Sequence, residues 1–368
     1  EILSNDEKLL ELIKTELLES ASKFEDKRRT IIIETELTEI NMEDIIKDED
    51  YIIIFTKEGY IKRTLLDSYK IQNRGTMGKR GFGLKDTDMV RRVFVASAHQ
   101  YILVFTEKGR MFWKKVYDLP EGDTTGRGKP INRIIGISDE EKVCSVINVK
   151  EFSEDKYVML FSRKGYVKKT NLSKFARPRV SGIIAADVGD EDLIFEAHIT
   201  DGNNDIILGS TLGKSIRFNE KQIREMGRGA RGVIGIRLSK EDFLVGAGVI
   251  GEDDKYILTI TESGIGKKSD LGLYRCQSRG GKGLLNIKIT EKLGKVIGLI
   301  ILNDSDEMIL SSEKGVVNKL GTSQIRSQGR ATQGLKIINL KEGDRLVSLE
   351  KVRVDDNFPE DEEDERPE

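Results

Sequence analysis

The stretch Gln277-Ser278-Arg279-Gly280-Gly281-Lys282-Gly283 has residue types and spacing suited to binding anions. Glycines keep the backbone thin and permit positive φ. Exposed backbone N–H groups in such loops can form anion-binding concavities, and arginine adds bidentate phosphate contact. Related loops recur along the chain: QNRGTMGKRG (72–81), TTGRGKP (124–130), FARPRVSG (175–182), GRGARG (227–232) and SQGRATQG (327–334). Every copy contains arginine. The bland reading is a set of connecting loops that use glycine for geometry and arginine for packing. The functional reading is contact with a DNA or RNA backbone without base readout. It draws on Gln72, Arg74, Gly75, Gly78, Lys79 and Arg80 in the first copy, and on Arg127, Lys129, Arg177, Arg179, Arg228 and Arg231 in the next three. Gln277, Arg279, Lys282 and Arg330 complete it.

A second set of cations follows a hairpin motif. Six segments share an apolar strand, a glycine turn and a second strand ending in basic residues: IIIFTKEGYIKR (52–63), ILVFTEKGRMFW (102–113), VMLFSRKGYVKK (158–169), ILGSTLGKSIRF (207–218), ILTITESGIGKK (257–268) and MILSSEKGVVNK (308–319). Four residues after the turn glycine stand Arg63, Lys169, Arg217, Lys268 and Lys319. In the second unit Trp113 takes that place, with Lys114 and Lys115 just after it. Lys62, Lys168 and Lys267 precede the repeated position in three units. One reading is a solvated outer strand whose lysines discourage edge pairing. The other, which the repetition favours, is a ring of positive potential that tracks phosphates.

The elements that must carry these residues follow from the repeat. The turn glycines Gly59, Gly109, Gly165, Gly213, Gly264 and Gly315 lie 50, 56, 48, 51 and 51 residues apart. Each unit holds about four strands of ordinary length, and six such units suggest radial blades rather than a sandwich. Glycine at each turn is a hairpin signal where left-handed geometry is required. The expected fold is all-β: six four-stranded blades over 31–354, preceded by a short helix. That helix is predicted over 5–24, from Leu9, Leu10, Ile13, Leu17 and Leu18 at helical spacing and a capping box of Ser4 and Glu7. Residues 1–30 are expected to be the helical end of a preceding region, and 355–368 an acidic disordered tail. A first residue of Glu rather than Met predicts a piece of a longer protein.

Composition narrows the function. The net charge of −2 over 368 residues hides an asymmetry. Residues 355–368 carry −8 and residues 1–30 carry −2, so the body 31–354 is +8. A basic body with an acidic tail suits a nucleic-acid protein, although a solubilising tail would look the same. No run of about 18 apolar residues predicts a membrane span. Two cysteines (Cys144, Cys276) and two histidines (His99, His198) are too few for a disulfide framework or an ordinary zinc site; a reducing cytoplasm fits. Gly227, Gly229 and Gly232 imitate the dinucleotide fingerprint, but the β-like VIGIRL follows where that motif needs a helix. No P-loop and no convergent polar cluster occurs, so no catalytic residue and no metal site is expected. A propeller serving as a protein-interaction scaffold is the competing class.

Taken together, these residues resemble the C-terminal part of the A subunit of bacterial DNA gyrase, in the type IIA topoisomerase family. FEDKRRT (24–30) resembles the family's junction between core and C-terminal domain, and KVYDLPEG (115–122) with TGRGKPI (125–131) resembles its second blade. The resemblance implies a six-bladed β-pinwheel that binds double-stranded DNA and wraps it round a basic rim, in the cytoplasm at the nucleoid. It implies no cofactor in this region. ATP and Mg serve the holoenzyme, through the gyrase A core and the partner gyrase B protein. One departure is visible: the family's Gln-Arg-Arg-Gly-Gly-Lys-Gly box belongs to the first blade, where 72–79 carries Thr76 and Met77 as an apparent insertion. The corresponding part of topoisomerase IV, with a degraded box, is the alternative.

Overall fold

The computed structural model describes residues 6–24, 42–66, 90–123, 126–177, 179–314 and 316–352. The chain divides into two units, Glu1–Ile45 and Ile46–Glu368. The first contains α1 (Asp6–Lys23), close to the predicted helix, and the single turn α2 (Met42–Ile45). No residue of α1 is buried, and Leu10, Leu17 and Leu18 stand exposed.

The second unit is built from the six repeats. In chain order, the first supplies β1 (Asp50–Thr56), β2 (Tyr60–Leu65) and β3 (Val90–Ser97). The second supplies β4 (Tyr101–Thr106), β5 (Arg110–Lys115), β6 (Lys129–Pro130) and β7 (Val143–Val149). The third gives β8 (Tyr157–Ser162), β9 (Tyr166–Asn171), β10 (Ile183–Ile184) and β11 (Ile194–Thr200). The fourth gives β12 (Asp205–Ser210), β13 (Lys214–Asn219), β14 (Val233–Ile234) and β15 (Leu244–Ile250). The fifth adds β16 (Tyr256–Thr261), β17 (Ile265–Asp270), β18 (Leu284–Leu285) and β19 (Val296–Leu302). The sixth adds β20 (Glu307–Ser312), β21 (Val317–Gly321), β22 (Leu335–Lys336) and β23 (Leu346–Val352).

Each hairpin closes on the predicted glycine: Gly59, Gly109, Gly165, Gly213 and Gly264 all have positive φ, from 76° to 89°. Gly315 lies outside the described residues. The blades differ from four strands per repeat in one respect. The first sheet runs β3-β1-β2-β6, the second β7-β4-β5-β10, and the pattern continues to β19-β16-β17-β22. Three strands come from one repeat, and the short outer strand comes from the next. Among the described residues the sixth sheet has three strands, β21-β20-β23. The long strands β3, β7, β11, β15, β19 and β23 line a central cavity, and β23 packs against β3, so the ring closes.

The core lies between blades. Tyr51, Ile53, Phe94 and Ile61 of the first blade pack with Val104, Phe112 and Val146 of the second. Met159, Phe161 and Val167 of the third pack with Ile206, Leu208 and Phe218 of the fourth. Because both faces of each central strand are covered, the strands read as continuous apolar runs such as IIIF rather than alternating ones.

Candidate nucleic-acid interface

The Gly/Arg loops lead into the borrowed outer strands, and this fixes their place. The loops of the fourth, fifth and sixth repeats run along the end of the second hairpin strand of the preceding repeat. Lys169 pairs in parallel with Glu225, Arg217 with Cys276, and Lys268 with Ser327. The chain then reaches one glycine before the outer strand. Gly232 has φ 106° and a Cβ there would stand 2.6 Å from the Val167 carbonyl oxygen; at Gly283, φ 72°, it would stand 2.6 Å from that of Ser215. Only glycine combines that backbone conformation with so close an approach. Gly227 and Gly229, by contrast, have nothing within 4 Å. The segment after Gly232 is β14, not a helix, so the dinucleotide fingerprint is absent here.

Lys62, Lys168 and Lys267 are not on the surface; their exposures are 2%, 1% and 1%. The Lys62 ammonium donates to the carbonyl of Asp123 at 2.9 Å. Lys168 donates to the carbonyls of Ala185 and Arg228. Lys267 donates to those of Gly329, at 3.2 Å, and Arg330, and to the Ser269 hydroxyl. Burial pushes the Lys168 ammonium down to about 8 and the Lys267 ammonium down to about 7, with Arg228 and Arg330 adding repulsion. The phosphate contact expected of these three lysines is corrected to an internal role: they pin the loop of the following repeat from beneath.

Four of the five cations four residues past the turn, Arg63, Lys169, Arg217 and Lys268, are buried or half-buried as well. Arg63 lies 4.7 Å over the Tyr51 ring, Lys169 5.1 Å over Tyr157 and Lys268 4.5 Å over Tyr256. Arg217 is paired with Asp205 at 2.8 Å and Lys319 with Glu307. In every case the partner stands at the start of the adjacent strand, diagonally across the hairpin. Lys169 and Lys268 further donate to the carbonyls of Glu220 and Thr322 at 3.1 Å. Lys115 is buried, 3.5 Å over Tyr101, and donates to the His99 carbonyl. Lys114 is half-buried on β5. The recurrence is explained by packing, and of this set only Lys319 is well exposed.

The loops present the remaining cations. Arg177, Arg179, Arg231, Lys282 and Lys129 are exposed, and Arg127, Arg228, Arg279 and Arg330 are half-buried. Some are tied down. Arg127 stacks 3.7 Å over Tyr60 and pairs with Glu58 at 2.6 Å. Arg231 lies 4.8 Å over Tyr166. Arg279 donates to the Gln222 and Ile234 carbonyls at 2.9 and 3.2 Å, and Arg330 to that of Leu285 at 2.8 Å, so successive loops are linked. Gln277 accepts from Gln222 through its carbonyl. Gln72, Arg74, Gly75, Gly78, Lys79 and Arg80 lie outside the described residues.

Sequence reasoning missed one set. Arg224, Arg275 and Arg326 are exposed and occupy one register, four residues before Arg228, Arg279 and Arg330. No ion pair engages them among the described residues. The signal was present as R-x-x-x-R in three consecutive loops. The outer edge of the fourth, fifth and sixth repeats therefore carries a repeated double row of arginines.

The model of the DNA gyrase C-terminal domain, a β-propeller, matches over 50–97, 100–150, 156–201, 204–250, 255–303 and 306–353, one match per blade. The chain belongs to this family. It is 38% identical over 362 residues to the DNA gyrase A protein of Haloquadratum walsbyi, covering 97% of this chain and 42% of that protein. It is 37% identical to the DNA gyrase A protein of Mycolicibacterium smegmatis, covering 98% and 43%. The chain thus spans about two-fifths of the length of these curated relatives. Among solved structures it is similar to the C-terminal domain of DNA topoisomerase IV (TM-score 0.73, 28% identity, 83% of this chain and 94% of that one). It is also similar to the DNA gyrase A C-terminal domain (TM-score 0.65, 25% identity, 82% and 99%). The family propeller agrees with the blades described above.

Proposed function

We propose that the arginine-bearing outer edge binds the phosphate backbone of duplex DNA without reading bases and bends the duplex along successive blades. The observation that carries this reading is the repeated register of Arg224, Arg275 and Arg326 with Arg228, Arg279 and Arg330 on the outer edge. Bending a site of 20–30 base pairs costs about 1–6 kcal/mol, and many weak phosphate contacts offset such a cost. In the whole protein the bent duplex would be presented to the gyrase A core, for ATP-dependent negative supercoiling with the gyrase B protein. Measuring duplex affinity against salt tests the contact: each neutralised phosphate adds about 0.9 to the log–log slope, and a slope near zero overturns the reading.

The similarity to the topoisomerase IV C-terminal domain supports a second reading, substrate selection in decatenation. The full-length protein reconstituted with its ATP-hydrolysing partner separates them. Conversion of relaxed circles to negatively supercoiled ones supports the gyrase reading; decatenation without supercoiling supports the other. A protein-interaction scaffold would show neither duplex affinity nor topology change.

A further inference from the structure

Three cations outside the two rows already described line the centre of the ring. Lys57 lies on the turn between β1 and β2, Arg91 on the inner strand β3, and Arg163 on the turn after β8. All three line the central cavity of about 390 Å³, and all three line an adjoining cavity walled by the first three repeats. Arg91 donates to the Val143 carbonyl at 3.4 Å. Arg163 donates to the Leu244 carbonyl at 3.0 Å and packs 4.9 Å over the Phe195 ring. A guanidinium has five N–H donors, and one carbonyl bond engages one of them. Among the described residues none of the three forms an ion pair.

The acids of the cavity are occupied or weakened. Glu196 accepts from His198 at 3.0 Å and from the Ala247 N–H at 3.2 Å. Asp254 accepts from the Gly251 N–H at 2.8 Å. Burial pushes the Glu350 carboxyl up to about 7, against the pull of Arg91, Arg92 and Lys57. Lys351 is paired with Asp306 at 2.6 Å. Desolvation lowers both Lys57 and Arg163; Glu350 opposes this at Lys57, Glu196 and Glu107 oppose it at Arg163, and the charge of Arg91 adds to the lowering at each. Lys57 and Arg163 are exposed and Arg91 is half-buried; like charges gathered around one cavity repel, and an anion between them relieves that repulsion.

We propose that Lys57, Arg91 and Arg163 form a binding site for a small phosphorylated anion, of the class of inorganic pyrophosphate, in the central channel. The volume lies within the roughly 300–1,000 Å³ of small-molecule sites, and a channel of that size excludes a duplex. This site is separate from the rim and does not rest on the DNA reading.

Calorimetric titration of the 368-residue chain with pyrophosphate at low salt tests it. One molar equivalent is expected to bind and to raise Tm. Lys57→Gln and Arg91→Gln should each weaken it about tenfold, the worth of one charge-assisted bond, while Arg275→Gln on the rim leaves it unchanged. Lys57 has no hydrogen bond to lose among the described residues, so Lys57→Gln keeps the test valid if Arg91→Gln fails to fold. Saturating duplex DNA should not compete. No binding at millimolar pyrophosphate, equal affinity in Lys57→Gln, or displacement by duplex overturns the proposal.

Discussion

The ammonium of Lys267 lies 3.2 Å from the carbonyl oxygen of Gly329, 62 residues further along the chain. Lys168 makes the same kind of bond to Arg228, and Lys62 to Asp123. A charge that would bring phosphate to the surface instead holds the next repeat's loop in place. The loop arginines can face outward because these lysines face inward.

Replacing Lys267 by methionine should therefore damage the loop and not only the charge. The stem is kept and the Gly329 and Arg330 carbonyls lose their donor, at about 1–3 kcal/mol. A lower Tm and faster amide exchange over 327–334 are the expected readouts. Unchanged exchange would show that the pin is dispensable.

The same lysine sets a pH dependence. Its folded pKa, about 7, lies below its ordinary 10.5. Between those values the unfolded chain binds the extra proton, so stability contributed by this group rises with pH across that window. Below about pH 7 both states are protonated and the full burial cost is felt. Denaturant midpoints of the parent should climb from about pH 7 towards 10, and Lys267→Met should flatten that slope.

Glu350 acts in the opposite sense. Its carboxyl is raised from 4.5 to about 7, so the folded state holds the extra proton between those values and stability falls as pH rises through them. Glu350→Gln should raise Tm at about pH 8 and change it little at about pH 4. An equal gain at both values would assign the effect to packing instead.

The loop glycines should divide sharply. Gly232→Ala meets the Val167 carbonyl in a left-handed conformation, and should cost about 1–3 kcal/mol. Gly227→Ala and Gly229→Ala meet nothing and should leave the denaturation midpoint nearly unchanged. Equal effects at all three would mean that the loop's path is wrongly understood.

Removing the exposed register tests the rim without touching the fold. Arg224→Gln, Arg275→Gln and Arg326→Gln together should lower the salt slope of duplex binding by roughly 2 to 3, with Tm unchanged. A slope that stays at the parent value would move the contact elsewhere.

Much of this molecule was legible in its residues. Turn glycines about 50 residues apart and six apolar runs define six hairpins, because a tight hairpin needs φ > 0 and a strand covered on both faces needs an unbroken apolar run. The direction of each side chain was not legible. Lys168 and Arg231 both read as basic residues near glycine, yet one is 1% exposed and the other lies outside. Burial of a lysine depends on which carbonyls come to meet it. For Lys168 one belongs to Ala185, later in the same repeat, and the other to Arg228, in the next.

The sequence by itself determined the repeat, its hairpins and the basic character of the body, since those follow from local backbone preference and composition. Only the tertiary structure decided that the second to sixth repeats each lend an outer strand to the blade before. That exchange places the Gly/Arg loops over the preceding hairpin and turns one row of lysines into internal pins. It leaves Arg224, Arg275 and Arg326 as the exposed row. The physical reason is distance along the chain: lysine–carbonyl bonds spanning 60 and 62 residues, and the strand pairing that accompanies them, are set by ring closure, which no local pattern encodes.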